Sequence, residues 1–478
     1  MTQATTSVPS RRSFLAQSLA AAGLLQLGPV LALTGAGPLV ANVTALYPVE
    51  VARIEVPRSA REVSTLVRAW PGKVAVGGGR YSMGGQVAIA SGLHLDLRQM
   101  NQLVWLRKAQ RLVRVQAGMR WRDLQDHLDP LDLAVKTMQS YSNFTVGGSV
   151  SVNCHGRYVG HGPVGHTVRS LQLVLADGAV VEAGPQLHPE LFRAAIGGYG
   201  AVGIITEVEL ELADNVRIER IVRQVPLALY TDYFRDSVLR DPDAILHNAD
   251  LLPPHFDAPI AVTWRKAGDK PLTVDQRLVP RDRSYAMEQN AIWAMTELPA
   301  GSELRKAVLQ PMLQARPVVK WLNCEASLDV AELEPRTRRL STYVLQEYFI
   351  APGQFLPFAR ALGQLLRRHK VEALNVSIRH SPPDRVSLLP WAREEVFSFV
   401  LYYKQRTHAD ARRAVGRWTR ELIDLALAHE GRYYLPYQLH ATRAQFEQAY
   451  PEAVQLRQVK QAMDPAGKLS NELWNKYL

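Results

Sequence analysis

Two kinds of apolar spacing take turns along this chain. In "GIITEVELEL", residues 203–212, apolar and polar residues alternate over most of the run, the period-two pattern of a half-buried strand. In "SAREVSTLVRAWPG", residues 59–72, apolar residues return every three to four positions. A serine stands at the helix cap, and Glu62 completes a capping-box pattern. From Val49 to about Leu212 such segments interchange. Strands are predicted in "VARIEVP", "KVAVGGG" and Leu93 to Leu97. A helix in "RWRDLQDHLDPLDLAV" ends near Asp129-Pro130, a hairpin in "SLQLVLADGAVVEAG" turns at Asp177-Gly178, and "PELFRAAIGG" is a short helix.

From about Val216 to Gly431 the pattern changes. "VRIERIVRQVPL", "STYVLQEYFIAP", "ALNVSIRHS" and "EEVFSFVLYYKQ" read as strands. They are interleaved with helices in "PLALYTDYFRDSVLR", "GQFLPFARALGQLLRRH" and the long amphipathic "ADARRAVGRWTRELIDLALAHEG", closed by Gly431. The tail is compact, with one helix in "TRAQFEQAYPEAVQLRQVKQAMDP" and a terminal "GKLSNELWNKYL". The fold class is α+β, and 478 residues suit two or three domains. The pattern divides the chain into a leader at 1–40, a first domain at 41–215, a second with an antiparallel sheet at 216–431, and a closing segment at 432–478.

The leader carries "SRRSFL", and no charged residue follows from Ser13 to Pro48. Paired arginines before a long uncharged run resemble a twin-arginine export signal, which carries folded proteins out of the bacterial cytoplasm. The expected location is therefore periplasmic or otherwise exported. If the run is not cleaved it becomes a membrane anchor, although Gln17, Gln26, Gly28 and Pro29 interrupt it. The net charge is +11, yet no block of five like charges occurs, which argues against nucleic acid and leaves an anionic cofactor or substrate as a partner. Cys154 and Cys324 are the only cysteines, too few for a disulfide framework.

Glycine marks the candidate chemistry. "VAVGGGRYSMGGQVA", residues 74–88, holds five glycines, the composition of a backbone that closes on an anion. A second glycine site is "NFTVGGSVSVNCHGRYVGHGPVGH", where Thr145, Gly147, Gly148 and Ser149 read as a small polar loop. His155, His161 and His166 crowd there without an acidic partner, so no metal is expected. "GYGAVG", residues 198–203, matches the dinucleotide fingerprint but lies between a helix and a following strand, the reverse of the order that motif needs. Two glycine sites in one domain suit a long ligand with a diphosphate.

Taken in order, "VGGGRYSMGGQ", "VQAGMRWRDLQDHL", "TVGGSVSVNCHG", "VRSLQLVLADGAVVEA", "ELFRAAIGGYGAVGIITEVELEL" and "DPAGKLSNELWNKYL" resemble the FAD-binding flavoproteins of the vanillyl-alcohol oxidase, or PCMH, type. The likeness runs over about residues 45–478. It is nearest to the aldonolactone and alditol oxidases and the decaprenylphosphoryl-ribose oxidases. It implies a two-subdomain PCMH-type FAD-binding domain and an α+β substrate, or cap, domain. The first glycine segment, Gly77, Gly78, Gly79, Arg80, Tyr81, Ser82, Met83, Gly84 and Gly85, is then expected around the FAD diphosphate. Gly118, Thr145, Val146, Gly147, Gly148, Ser149, Val152, Asn153, His155, Gly156 and Tyr434 join it as cofactor-binding residues. Ile204 or Ile205 packs on the cofactor. Many relatives carry a histidine in the first segment that bonds covalently to the flavin. Here that position is Arg80 or Tyr81, so the FAD is expected to be non-covalent. Arg80 would offer the diphosphate charge-assisted hydrogen bonds.

On the substrate side the likeness brings together "LQEYFIAP", "LNVSIRHS" and "RYYLPYQLHA". Tyr434 matches a tyrosine of the ribose-oxidase branch, while Tyr437 stands where that branch has a lysine. The alditol branch has a Glu-x-Arg pair where this chain has Ser377-Ile378-Arg379. Asn375, Ser377 and Arg379 share one strand face. Glu347, Tyr437 and His440 are the candidate bases, with Arg379 stabilising the reduced ring. The implied reaction is oxidation of a CH–OH group in a sugar-like, polyol or lactone substrate, with hydride passing to flavin N5. The electron acceptor is oxygen, a quinone or a cytochrome. The alternatives are C=C or C–N chemistry on a sterol- or cytokinin-like substrate, and a non-catalytic FAD-binding protein.

Overall fold

The computed structural model describes residues 37–297, 317–335 and 338–478. Residues 1–36, with Arg11, Arg12 and most of the expected leader, lie outside the described residues. The last residues of the segment set aside as leader are folded. Leu39–Val40 pairs antiparallel with Val49–Glu50. Among the described residues no helix is long and apolar enough to cross a membrane.

The class is α+β. A three-stranded parallel sheet has Leu93–Asp96 between Arg53–Glu55 and Val74–Gly77. Parallel strands need crossovers: the helix Ala60–Ala69 carries the chain from Arg53–Glu55 to the far edge at Val74–Gly77, and the first glycine segment returns it to the central strand. The helix cap is the one the sequence predicts, with Ser59 accepting from the Glu62 amide. Next comes a six-stranded antiparallel sheet around Ile204–Asp214, which pairs with Val168–Val174 on one side and Leu112–Gln116 and Leu133–Val135 on the other. Val180–Ala183 and Leu103–Arg107 form its edges.

The largest sheet has eight strands, antiparallel throughout. Its order is Val319–Trp321, Arg217–Gln224, Ile260–Lys266, Ala244–Leu251, Ala373–Ser381, Val396–Arg406, Ser341–Ile350 and Arg432–Tyr433. One face carries Tyr348, Phe397, Phe399 and Tyr403. It is covered by the helices Phe355–Arg368 and Ala409–Ala428, through rings such as Phe358 on Phe399 and Trp418 on Tyr403. The other face carries Glu347, Phe349, Asn375, Ser377 and Arg379 and meets the glycine-rich half of the chain.

Three elements differ from the periodicity. The helix expected in "PLALYTDYFRDSVLR" breaks into Leu227–Leu229, Tyr230–Phe234 and a wider turn at Arg235–Leu239. Its buried residues Tyr230, Phe234 and Val238 fall at strict four-residue steps, slightly more than an α-helical turn, and the wider turn keeps them in line. The tail helix is two helices, Arg443–Ala449 and Ala453–Met463, because Pro451 cannot donate the bond that would join them. The stretch after Thr145 is no loop: Val146–Ser151 is helical, with Thr145 as its cap residue.

Candidate functional site

The two glycine segments meet at one threonine. A Cβ on Gly78 would fall 2.1 Å from Thr145 Oγ1, and one on Gly148 would fall 2.8 Å from it. That hydroxyl is buried and has no hydrogen-bond partner among the described residues. A buried donor left unmade costs about 1–3 kcal/mol, so Thr145 is built for something that fills the cradle. Gly79 gives way to the ring of Tyr81, which packs on Phe144 with centroids 4.6 Å apart. Gly147 rests on Ala117, and a Cβ on Gly118 or Gly156 would collide with the carbonyl oxygens of Leu97 and Met138. In these places only glycine lets the backbones approach.

Other expected cofactor residues face protein. Arg80 takes a left-handed backbone and turns its Nη2 to Asp96 at 2.9 Å and His94 at 3.1 Å. Asp96 also holds Arg98, so one carboxylate serves two guanidiniums, and the buried Nε of Arg80 has no partner. Gly77 lies beneath the His94 ring. Met83 donates its amide to Pro436 O, and Gly84 sits against Tyr437 O. Gln86 fastens this seat by donating to Leu435 O and Tyr437 O at 2.7 and 2.8 Å. Ser149 Oγ is engaged by Gln139, Trp121 and Thr145 O. Asn153 is engaged by Asp384, Gly165 and Trp391. Their side chains hold the scaffold. Val146, Ile204 and Ile205 are buried in the core. Cys154 is buried too, and burial pushes its thiol far up. Ser82 and Val152 are half-buried, and Val152 O accepts the Tyr434 hydroxyl at 2.7 Å.

The candidate catalytic residues divide. His155 Nε2 lies 2.5 Å from Glu347 Oε1, and the Tyr437 hydroxyl donates to Glu347 Oε2 at 3.1 Å. Burial works to raise the Glu347 carboxyl, but His155, Arg379 and the Tyr437 hydroxyl together hold it below the ordinary carboxylate range. Burial and the Glu347 charge push the Tyr437 phenol well up. Around His155 stand Trp391, Phe349 and Tyr434, with ring centroids 4.8, 5.8 and 6.2 Å away. His155 Nδ1 is buried with no partner. Its chain reaches this place from the helix Val146–Ser151, whereas Glu347 comes from the central part of Ser341–Ile350.

Arg379, Ser377 and Asn375 do share a face and are all half-buried, while Leu374, Val376 and Ile378 between and beside them are buried. Asn375 Nδ2 donates to Asp250 at 2.9 Å. His440 stands apart. Its Nε2 meets Gln438 at 2.6 Å, and its ring lies against Gly416 on the helix-covered side of the sheet. Burial, with Lys476 and Arg420 nearby, pushes it down to about 4. The sequence reading missed Trp391, Phe349, Asp250 and Gln86. Only Asp250 left a signal, as an acid within the strand pattern of Ala244–Leu251.

The buried, unpartnered Thr145 Oγ1, His155 Nδ1 and Arg80 Nε, together with a cradle that a Cβ would fill, suit a large polar cofactor such as FAD. Residues 51–184 match the family described as FAD binding domain. The chain is similar to a putative D-arabinono-1,4-lactone oxidase of Neurospora crassa, 38% identical over 114 residues. That match takes in 24% of this chain and only 20% of the Neurospora protein. It is similar to the L-gulonolactone oxidase of Mus musculus, 24% identical over 440 residues, 87% of this chain and 92% of that protein. It is also similar to the decaprenylphosphoryl-beta-D-ribose oxidase of Mycolicibacterium smegmatis, 33% identical over 179 residues, 37% of each chain. Residues 51–184 are thus an FAD-binding domain, and FAD is the cofactor of this chain.

Proposed function

We propose that this protein is an exported FAD-dependent oxidoreductase that oxidises a CH–OH group of a sugar-like, polyol or lactone substrate. The observation that carries the reading is the Glu347–His155–Tyr437 cluster, sited where the sheet face meets the glycine-rich half. Bound FAD supplies a two-electron acceptor for the hydride of the oxidised carbon. The chain supplies a proton path. Tyr437 is half-buried and hydrogen-bonded to a carboxylate that stays ionised, so a substrate hydroxyl proton moves to Tyr437 O as Tyr437 passes its own to Glu347. Arg379 lies close enough to act on both groups and offsets the charge of the departing proton's oxygen. Trp391, Phe349 and Tyr434 exclude water from the His155 side. Thr145, His155 and the glycines at 78, 79, 118, 147, 148 and 156 are the residues assigned to FAD.

The finer architecture follows the same reading. The parallel sheet and the sheet around Ile204–Asp214 are the two subdomains of the FAD-binding half, at 41–215. The eight-stranded sheet belongs to the substrate domain at 216–431, and 432–478 completes the site. Arg11 and Arg12 direct export, and oxygen, a quinone or a cytochrome takes the electrons. The FAD is non-covalent, since Arg80 and Tyr81 stand where a histidine would link it. Trichloroacetic acid should release the yellow colour into the supernatant. The function is tested by mixing the holoenzyme anaerobically with polyols, aldonolactones, sterols and amines. Bleaching of the flavin by a polyol or lactone is the expected result. Bleaching by sterols or amines alone favours C=C or C–N chemistry, and bleaching by none favours a binding protein.

A further inference from the structure

One register row crosses four strands on the face that carries Glu347. Asp250 stands opposite Ser377, Ser377 opposite Val400, and Val400 opposite Glu347. At about 4.8 Å per strand the two acidic positions are roughly 14 Å apart along the backbone, with Arg379 on a strand between them. The row is closed at one end and open at the other: Val400 and Glu347 are buried, whereas Asp250, Ser377 and the adjacent Arg379 are half-buried, with Ala249, Val376 and Ile378 fully buried on the opposite face.

Three neighbours hold Asp250: Asn375 Nδ2 donates to its Oδ1 at 2.9 Å, Asn248 Nδ2 to its Oδ2 at 3.2 Å, and the Ser377 hydroxyl also donates to the carboxylate. A carboxylate has about four acceptor positions, so these bonds aim it without filling it. Arg379, among the described residues, makes no ion pair, and its buried Nε has no partner. A free acceptor beside a free cationic donor is the complement of adjacent hydroxyls, each of which both donates and accepts. Burial also raises the Asp250 carboxyl against the pull of Asn375, Ser377 and Arg379, and further hydroxyl donors would relieve that strain.

We propose that Asp250, paired with Arg379, is a specificity-determining residue that binds hydroxyls of a polyhydroxylated substrate farther along its chain from the oxidised carbon. This rests on the CH–OH oxidation proposed above. The reading separates a polyol or sugar-like substrate from an apolar alcohol.

The test compares xylitol with 1-pentanol, which has the same number of carbons and one hydroxyl. Wild type, Asp250→Asn and Asp250→Ser holoenzymes are assayed for flavin reduction, flavin content and melting temperature. In the Asn variant KM for xylitol should rise tenfold or more, with kcat within about threefold. Values for 1-pentanol should not move. The saturable rise in melting temperature that xylitol gives wild type should be lost in the variant. If wild type treats the two alcohols alike, or both variants change them equally, Asp250 does not read hydroxyls and CH–OH oxidation still stands. If both variants lose flavin or melt early, Asp250 is structural and the inference falls. If neither alcohol reduces or stabilises wild type, the inference falls, and CH–OH oxidation falls with it only when aldonolactones also leave the flavin oxidised.

Discussion

Glu347→Gln keeps the shape of the side chain and removes its charge. In the native chain this residue is 3% exposed and is touched on both oxygens, by His155 and by the Tyr437 hydroxyl. Hydrogen bonds to a charged group contribute about 1.5–3 kcal/mol each, and removing one partner of a buried pair costs about 3–5 kcal/mol. The amide keeps one acceptor oxygen, so a stability loss of about 3 kcal/mol is expected. A positioned proton acceptor is worth about a hundredfold in rate or more, about 2.7 kcal/mol on the barrier. Urea titration measures the first quantity and anaerobic stopped-flow reduction of the flavin the second. The pH dependence gives an independent check. The folded carboxyl lies below its unfolded value, so Glu347 contributes stability that is fully present above about pH 4.3 and is lost as pH falls through the folded value. Below pH 4.3 wild-type stability should fall more steeply than that of the Gln variant. A variant reduced within threefold of the wild-type rate would remove Glu347 from the chemistry. Equal acid slopes would mean that the fold does not hold this carboxyl ionised.

Arg379→Met deletes an unpaired charge from a half-buried position and should leave flavin content and melting temperature near wild type. Flavin reduction at saturating substrate should slow at least tenfold, about 1.4 kcal/mol, and an unchanged rate would place Arg379 outside the site. Gly78→Ala puts a Cβ 2.1 Å from Thr145 Oγ1, so the purified protein should carry little FAD. A full complement of bound flavin, read from its visible absorbance, would show that the cradle is elsewhere. Replacing Arg11 and Arg12 by Lys should leave the protein in the cytoplasmic fraction, and unchanged export would indicate another route.

Much of the fold was legible because its signals are local. Ser59 and Glu62 mark a helix start, Asp177-Gly178 a hairpin, and the alternation of 203–212 a strand. What the sequence hid were choices made by tertiary packing. Nothing near Thr145 says that a run of glycine and serine will wind into a helix, since its stability comes from the close seat of Gly147 on Ala117. The contact of Arg80 with Asp96 was not legible either, because Asp96 is brought beside it only by the parallel sheet. The same limit governs the candidate catalytic residues. Tyr437 and His440 are three positions apart in the sequence, but one turns to Glu347 and the other to the helix-covered side. The pairing of Glu347 with His155 spans 192 residues, and no spacing rule reaches that far.

The bonds from Gln86 to Leu435 and Tyr437 have a consequence in time. The two ends are 349 and 351 residues apart in the chain. At roughly 5–20 residues per second a ribosome needs on the order of 20–70 s to make the carbonyls that Gln86 waits for. During that interval the first glycine segment has been synthesised but lacks the backbone on which Met83 and Gly84 rest. Tyr434 and Tyr437 arrive in the same late stretch, so neither the aromatic wall around His155 nor the Tyr437–Glu347 bond exists on the nascent chain. Assembly of the redox centre is thus a post-translational event, and ribosome-bound chains halted before residue 435 should capture no flavin.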